Sequence, residues 1–439
     1  MRRLLLAPLA CSLLFLAPGC GADPDDGGPL GQTRDAILDG TVDKDHTGVV
    51  AVFRASDGEF CSGYLIAPNL VLTAAHCTAA FTPGTTACEA FTEDGSVMEP
   101  GTIDQPFATS VFHVANPTVF TPAEPYTKVE TVLLPPDAIG ANPCGRDVSL
   151  LRLSAPIEGA TPIEPRLDLG PIAGETFTAT GYGATKGGTI TGIGTRHARA
   201  AVPVTSVGKT ITDEGIVRTV EADWTSGDGP CAGDSGSPAI DAAGRSFGVM
   251  SRGNQKTCTS MVYNGVTAHA DWIRAEVKAA AAALGQPAPA WAEPPVAGSA
   301  GLGDDCRGET ECEAPLSCRP IDDRFRCTSL DCDACAPGWI CGTSAGAPAC
   351  VPDPNGPPDA GPTDAGTGDA GVTDPGSDPD GGGGCAAAPA REGRSGMGAA
   401  LVLLVLGAAA ARGARSRREE FVPIAGEDDP RRRGAHAPR

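Results

Sequence analysis

From Val49 to Met250 the apolar residues of this chain come in short runs, each cut by turn-forming residues. The clearest are Val49–Phe53, Cys61–Ile66, Leu70–Thr73, Ser149–Leu153, Thr176–Thr180, Val217–Val220 and Phe247–Met250. Turns such as Ser56-Asp57-Gly58 stand between them. Runs this short, without a helical stripe and punctuated by Gly and Pro, predict strands, and many of them predict an all-β barrel or sandwich. One stretch departs from the pattern. Between Ala268 and Leu284, Trp272, Ile273 and Val277 recur at helical spacing, so a single helix is expected there.

The ends of the chain are patterned differently. Residues 1–20 carry Arg2-Arg3, an apolar run through Leu16 and then Ala17-Pro18-Gly19-Cys20, the layout of a secretory signal too short to span a membrane. The small residues before Cys20 resemble a bacterial lipoprotein box, in which the cysteine is lipidated. Residues 21–36 are acidic and Gly-rich, a propeptide or tether with too little apolar content to fold. Past the helix, 286–305 is a Pro/Ala/Gly linker. The stretch 306–351 holds Cys306, Cys312, Cys318, Cys327, Cys332, Cys335, Cys341 and Cys350. Residues 352–384 repeat Asp-Ala-Gly, the composition of a disordered, self-repelling spacer. A Gly384-Cys385 pair, an apolar run from Met397 to Ala411 and an arginine cluster fill 385–418, and 419–439 is a polar tail.

Length and charge narrow the reading. A chain of 439 residues exceeds one ordinary core, so several modules are expected. Its 54 acidic against 33 basic side chains give a formal charge of -21, which argues against a nucleic-acid surface. The 17 cysteines would be a liability in a reducing cytosol and read as disulfides formed outside it. The eight in 306–351 predict a four-bridge module. Zinc at Cys332-Asp333-Ala334-Cys335 is the rival reading, weakened by the lack of histidine in that stretch.

The candidate chemistry lies in Cys231-Ala232-Gly233-Asp234-Ser235-Gly236-Ser237-Pro238. A serine hydroxyl becomes a useful nucleophile when a base takes its proton and nearby donors stabilise the oxyanion that forms. Glycines beside Ser235 let the backbone bring the Gly233 and Ser235 amides to one small hole. Upstream, Leu72-Thr73-Ala74-Ala75-His76-Cys77 offers a base, and the Gly145–Leu153 segment offers Asp147 as a carboxylate to orient it. The order His76, Asp147, Ser235, each within its flanking motif, resembles the trypsin/chymotrypsin serine proteases. The resemblance covers residues 37–285.

It implies two packed antiparallel β-barrels with a C-terminal helix, the active site in the cleft between them, and hydrolysis of peptide bonds in protein or peptide substrates without metal or organic cofactor. Ile37-Leu38-Asp39-Gly40 matches the family's mature amino terminus, freed by a cut before Ile37 so that the new ammonium pairs with Asp234. The residue before the cut is Ala36, which does not fit a trypsin-like activator. The resemblance further implies disulfides Cys61–Cys77 and Cys231–Cys258, leaving Cys88 and Cys144 to pair across an elaborated loop. It places Gly229 at the floor of the substrate pocket, Ser251, Arg252 and Gly253 along the substrate backbone, and Met261 in the pocket wall, which favours small or medium apolar residues before the cut. The tail resembles the myxobacterial-type sorting signal (MYXO-CTERM), which implies cell-envelope anchoring machinery and display at a bacterial surface, with a plain membrane anchor as the other reading. A barrel retained as a catalytically idle adhesion protein, using its Cys-rich module for contact, is the alternative function. No residue pattern speaks to the oligomeric state.

Overall fold

The structure, a computed structural model, describes residues 37–356. The expected signal with Cys20, the tether 21–36, most of the spacer and the tail with Gly384-Cys385 lie outside the described residues.

Two antiparallel sheets carry the chain from Thr41 to Gly265. The first runs, in spatial order, Val129–Leu133, Ser149–Leu153, Leu70–Thr73, Glu59–Ala67, Val49–Arg54 and Phe112–Ala115. It curls until a single bridge between Val114 and Thr127 approaches closure. The second sheet closes on itself: His197–Val207, Thr176–Gly181, Pro238–Ile240, Ser246–Asn254, Thr259–Gly265 and Asp223–Ser226 form a ring, with Thr41–Val42 added outside it. Closure removes most of the free edge; what remains are strand ends that run past their partners, such as Ser246–Asn254 beyond Met250.

Burial explains why the predicted runs are apolar throughout instead of alternating. Leu70–Thr73 is buried on both faces, as is nearly all of Val49–Arg54, because the barrel interior lies on one side and further chain on the other. In the second barrel Trp224 stacks on Tyr263 at 4.4 Å and on Phe247 at 5.0 Å, with Phe177 edge-on at 5.4 Å. These aromatics pack with Val202, Val204, Met250 and Met261 to fill the interior. The helix Ala270–Ala283 buries Ile273, Val277 and Ala280, and that face packs into the core of the first barrel. Trp272 is only half-buried at the rim of this face.

Residues 286–305 run along the surface of the fold, with Trp291 packed on the first core and Ala292 fully buried. The Cys-rich segment then forms two hairpins, Ser317–Ile321 with Arg324–Thr328 and Trp339–Ser344 with Ala347–Pro352. Its eight cysteines are bonded as Cys306–Cys318, Cys312–Cys327, Cys332–Cys341 and Cys335–Cys350. Phe325 of the first hairpin seats on the second barrel. Its ring lies 4.7 Å from the Arg166 guanidinium, whose other face meets Phe247 at 4.3 Å. Arg166 is buried, bridged to Glu175 and Asp241, and Arg245 adds a second cation to the group. Two cations thus meet two carboxylates in a dry space, where each charge depends on its partners.

Candidate active site

Strand register brings the candidate residues together. Thr73 pairs with Ser149, so the chain leaving one strand and the chain entering the other emerge at the same end of the first sheet. The first exit carries His76 on the short helix Ala75–Thr78, and the second entry carries Asp147. The second sheet repeats the device. Pro238 pairs with Val249, so the turn before Pro238, with Ser235, and the residues after Val249, with Ser251, share one end.

The two ends meet across the seam. His76 Nδ1 lies 2.8 Å from Asp147 Oδ2, and the His76 backbone N–H donates to Asp147 Oδ1 at 2.9 Å. From the other barrel Ser251 Oγ donates to Asp147 Oδ2 at 2.6 Å. The carboxylate is 3 % exposed and the imidazole 30 %, so the pair is sealed at its inner end and open at its outer one. Burial works against charge on His76, but the adjacent Asp147 carboxylate outweighs it and holds the ring above its ordinary value. Burial likewise opposes the charge on Asp147, and the imidazole with three hydrogen bonds holds it below the usual carboxylate range.

Ser235 sits in a turn fixed to the first barrel. Its carbonyl accepts from Ser62 N at 2.8 Å, and Cys77 Sγ approaches the same oxygen at 3.7 Å. Gly233 has φ 93°, in the left-handed region that glycine enters freely. At Gly236, φ 85°, Thr73 Oγ1 and Ser62 O leave no room for a Cβ. Among the described residues the amides of Gly233 and Ser235 have no acceptor, whereas those of Asp234, Gly236 and Ser237 bond to Cys231 O, Met250 O and Asp234 O. Two free donors therefore flank one that is used. Ser235 Oγ likewise takes no partner within the described chain, His76 included.

Asp234 points inward, accepting from Gly183 N at 2.8 Å and Cys231 N at 2.9 Å. It is fully buried without a cation beside it among the described residues, and burial, only partly countered by those two bonds, pushes its carboxyl up to about 7. Ile37 is buried in the second core and holds φ 48°, a conformation that β-branched residues avoid. Its neighbour Leu38 donates to Gly229 O at 2.9 Å, and a Cβ on Gly229 would lie 3.5 Å from Ile37 Cγ2.

Met261 is fully buried, and its sulfur occupies the space a Cβ at Gly253 would need. Arg252 does not reach into open solvent. Its Nη2 donates to Asp223 Oδ2 at 2.9 Å and to the Arg218 carbonyl at 2.7 Å, lying over the Cys88–Cys144 bridge. That bridge, Cys61–Cys77 and Cys231–Cys258 complete the disulfides of the two barrels. Three clusters of potential metal ligands occur among the described residues (one includes His76), but every cysteine in them is already in a disulfide.

One functional residue escaped the sequence. Ser62 is fully buried; its Oγ donates to Gly233 O at 3.0 Å and accepts from Tyr182 N at 2.9 Å. Only a lone hydroxyl in an otherwise apolar run hinted at it. Ser62→Ala would strand a buried carbonyl and a buried amide, so we expect a loss of about 1–3 kcal/mol, read from the urea midpoint.

The trypsin family model matches residues 37–273. Brachyurin from Leptuca pugilator is 29% identical over 240 residues, covering 52% of this chain and 91% of that protein. Trypsin from Saccharopolyspora erythraea is 29% identical over 254 residues, 54% of this chain and 96% of its own. Among solved structures, neuropsin, a serine protease expressed in the limbic system of mouse brain, aligns with TM-score 0.40 at 20% identity over 55% of this chain and 99% of its own.

Proposed function

Since the chain belongs to the trypsin family of serine endopeptidases, we propose that Ser235, His76 and Asp147 are its nucleophile, base and orienting carboxylate. The observation that carries this reading is the Asp147 carboxylate gripped from both barrels, by His76 and by Ser251. Ser235 Oγ attacks the substrate carbonyl while His76 Nε2 takes its proton, and Asp147 holds the Nδ1–H tautomer and stabilises the imidazolium. The Gly233 and Ser235 amides receive the oxyanion. The Oγ–Nε2 bond closes when substrate enters, as catalytic hydrogen bonds often do. His76 then protonates the leaving amine, and water releases the acyl group. A fluorophosphonate should label Ser235 in the matured protein and leave Ser235→Ala unlabelled. Silence of the matured protein would return the idle adhesion reading.

Activation follows from Ile37 and Asp234. A cut after Ala36 frees an ammonium to pair with the Asp234 carboxylate, which is buried without a cation among the described residues, and it releases Ile37 from a φ of 48° that costs about 1–3 kcal/mol. The preference before the cut is for small or medium apolar side chains, because Met261 fills space against Gly253 and no acid stands at Gly229. Peptides with Ala or Val before the cut should exceed those with Lys or Arg by about tenfold or more in kcat/KM, and the reverse ranking would refute this. The seven disulfides among the described residues belong to an oxidising compartment, which supports export of the protein. No helix among the described residues is long and apolar enough to cross a membrane.

A further inference from the structure

The strand Ser246–Asn254 has an edge that its own fold leaves open. Pro238–Ile240 pairs with it from Ser246 to Val249, and the Gly236 and Ser237 backbones extend that side to Met250. Beyond Met250 only the opposite side is taken, by Thr259–Gly265. A substrate strand laid antiparallel on Ser251–Asn254 puts the residue before the cut near Ser251. At a rise of about 3.3 Å per residue, the third residue before the cut then lies near Gly253.

At that point lies a pocket of about 360 Å³ whose wall includes Thr85, Thr86, Thr212, Arg218, Arg252 and Gly253. It has two arginines and three threonines in its wall and no carboxylate. Thr85 Oγ1 is shielded from solvent and has no partner. Arg252 is neutralised by Asp223, but Arg218 is exposed and makes no ion pair among the described residues. Glu89 pairs with Lys209, and Glu214 bonds to Thr212 at the rim of the pocket without pairing with Arg218. Asp228 borders the adjoining cavity that Arg218 also lines, without pairing with it.

We propose that this pocket receives an acidic side chain of the substrate, Asp or Glu, at the third or fourth residue before the cut, with the exposed Arg218 guanidinium as its donor. The proposal rests on the reading of Ser235 as nucleophile. A guanidinium facing a carboxylate forms charge-assisted bonds that a neutral amide of the same shape cannot match. The net charge of -21 elsewhere repels acidic peptides, so this patch supplies local selectivity within a repelling field.

The test uses internally quenched peptides with Ala before the cut and Asp, Asn or Lys at the third or the fourth preceding residue, cleaved by the matured full chain. Asp should exceed Asn by about tenfold in kcat/KM at one of these positions, and Lys should be poorer still. Arg218→Gln should collapse the Asp/Asn ratio toward one, and Arg218→Lys should keep part of it. Equal cleavage of the Asp and Asn peptides at both positions overturns the proposal and leaves the endopeptidase standing. Failure of cleavage together with failure of fluorophosphonate to label Ser235 overturns both.

Discussion

Ser235→Ala should lower kcat by about a million-fold, and Asp147→Asn by about ten-thousand-fold, without unfolding the protein. The difference lies in what each change leaves behind. Without Ser235 Oγ no acyl-enzyme forms, and only the amide donors and substrate binding remain. The asparagine side chain would keep the shape but offer a single acceptor where Asp147 now takes bonds from His76 Nδ1, His76 N and Ser251 Oγ. Its NH2 group would face Nδ1 and favour the wrong imidazole tautomer. The pH profile separates this from a structural defect. In the proposed mechanism His76 must be neutral to act, and Asp147 holds it above its ordinary value, so the acid limb of kcat/KM should lie above the usual histidine range. In Asp147→Asn the raising charge is gone while burial, which lowers the value, persists, so the limb should move to lower pH. An unmoved limb would show that Asp147 does not bear on His76.

The second large effect concerns the uncleaved chain. Asp234 titrates near 7 when buried, against 3.8 as an ordinary carboxyl, so the folded state prefers it protonated. A carboxyl raised in this way adds stability in full below pH 3.8, and that stability is lost as pH rises through about 7. The span amounts to roughly 4 kcal/mol. In uncleaved protein held from self-processing by Ser235→Ala, the urea midpoint should therefore fall between about pH 4.5 and about pH 7.5. Adding Asp234→Asn should remove most of that fall, and the difference isolates Asp234 from His76, whose raised value makes it lose stability over rising pH as well. Protein cut before Ile37 should also lose the fall, because the new ammonium favours the charged carboxylate. A fall that survives Asp234→Asn would place its cause elsewhere.

Most of the candidate site was legible because its parts are local. His76, Asp147 and Ser235 each stand in a motif whose residues are dictated by nearby backbone, and the strands leading to them are the most apolar of the chain. What escaped was set by distant partners. His197–Val207 carries three alanines and Pro203, with a register shift near its end, so neither periodicity nor propensity marks it as the longest strand of the closed ring. Thr259–Gly265 and Asp223–Ser226 contain Asn264 and Asp223, a cross-strand pair in which Asp223 accepts from Asn264 Nδ2 and from Gly145 N. Arg252, expected along the substrate backbone, has its guanidinium drawn inward by Asp223, a partner 29 positions away. The role of Ser62 depends on a carbonyl 171 residues further on, which no local rule can supply.

The seat of Phe325 on Arg166 bears on where this protein can be cut. A chain ended after Leu284 would keep every residue discussed for peptide hydrolysis, yet it would lay open to water the ion cluster that Phe325 now roofs. Glu175, Asp241 and Arg245 would then exchange each other for solvent along a flank never shaped for it. The hairpins behind the protease thus serve as masonry for the barrel before they serve anything else, and trimming them is a change to the enzyme.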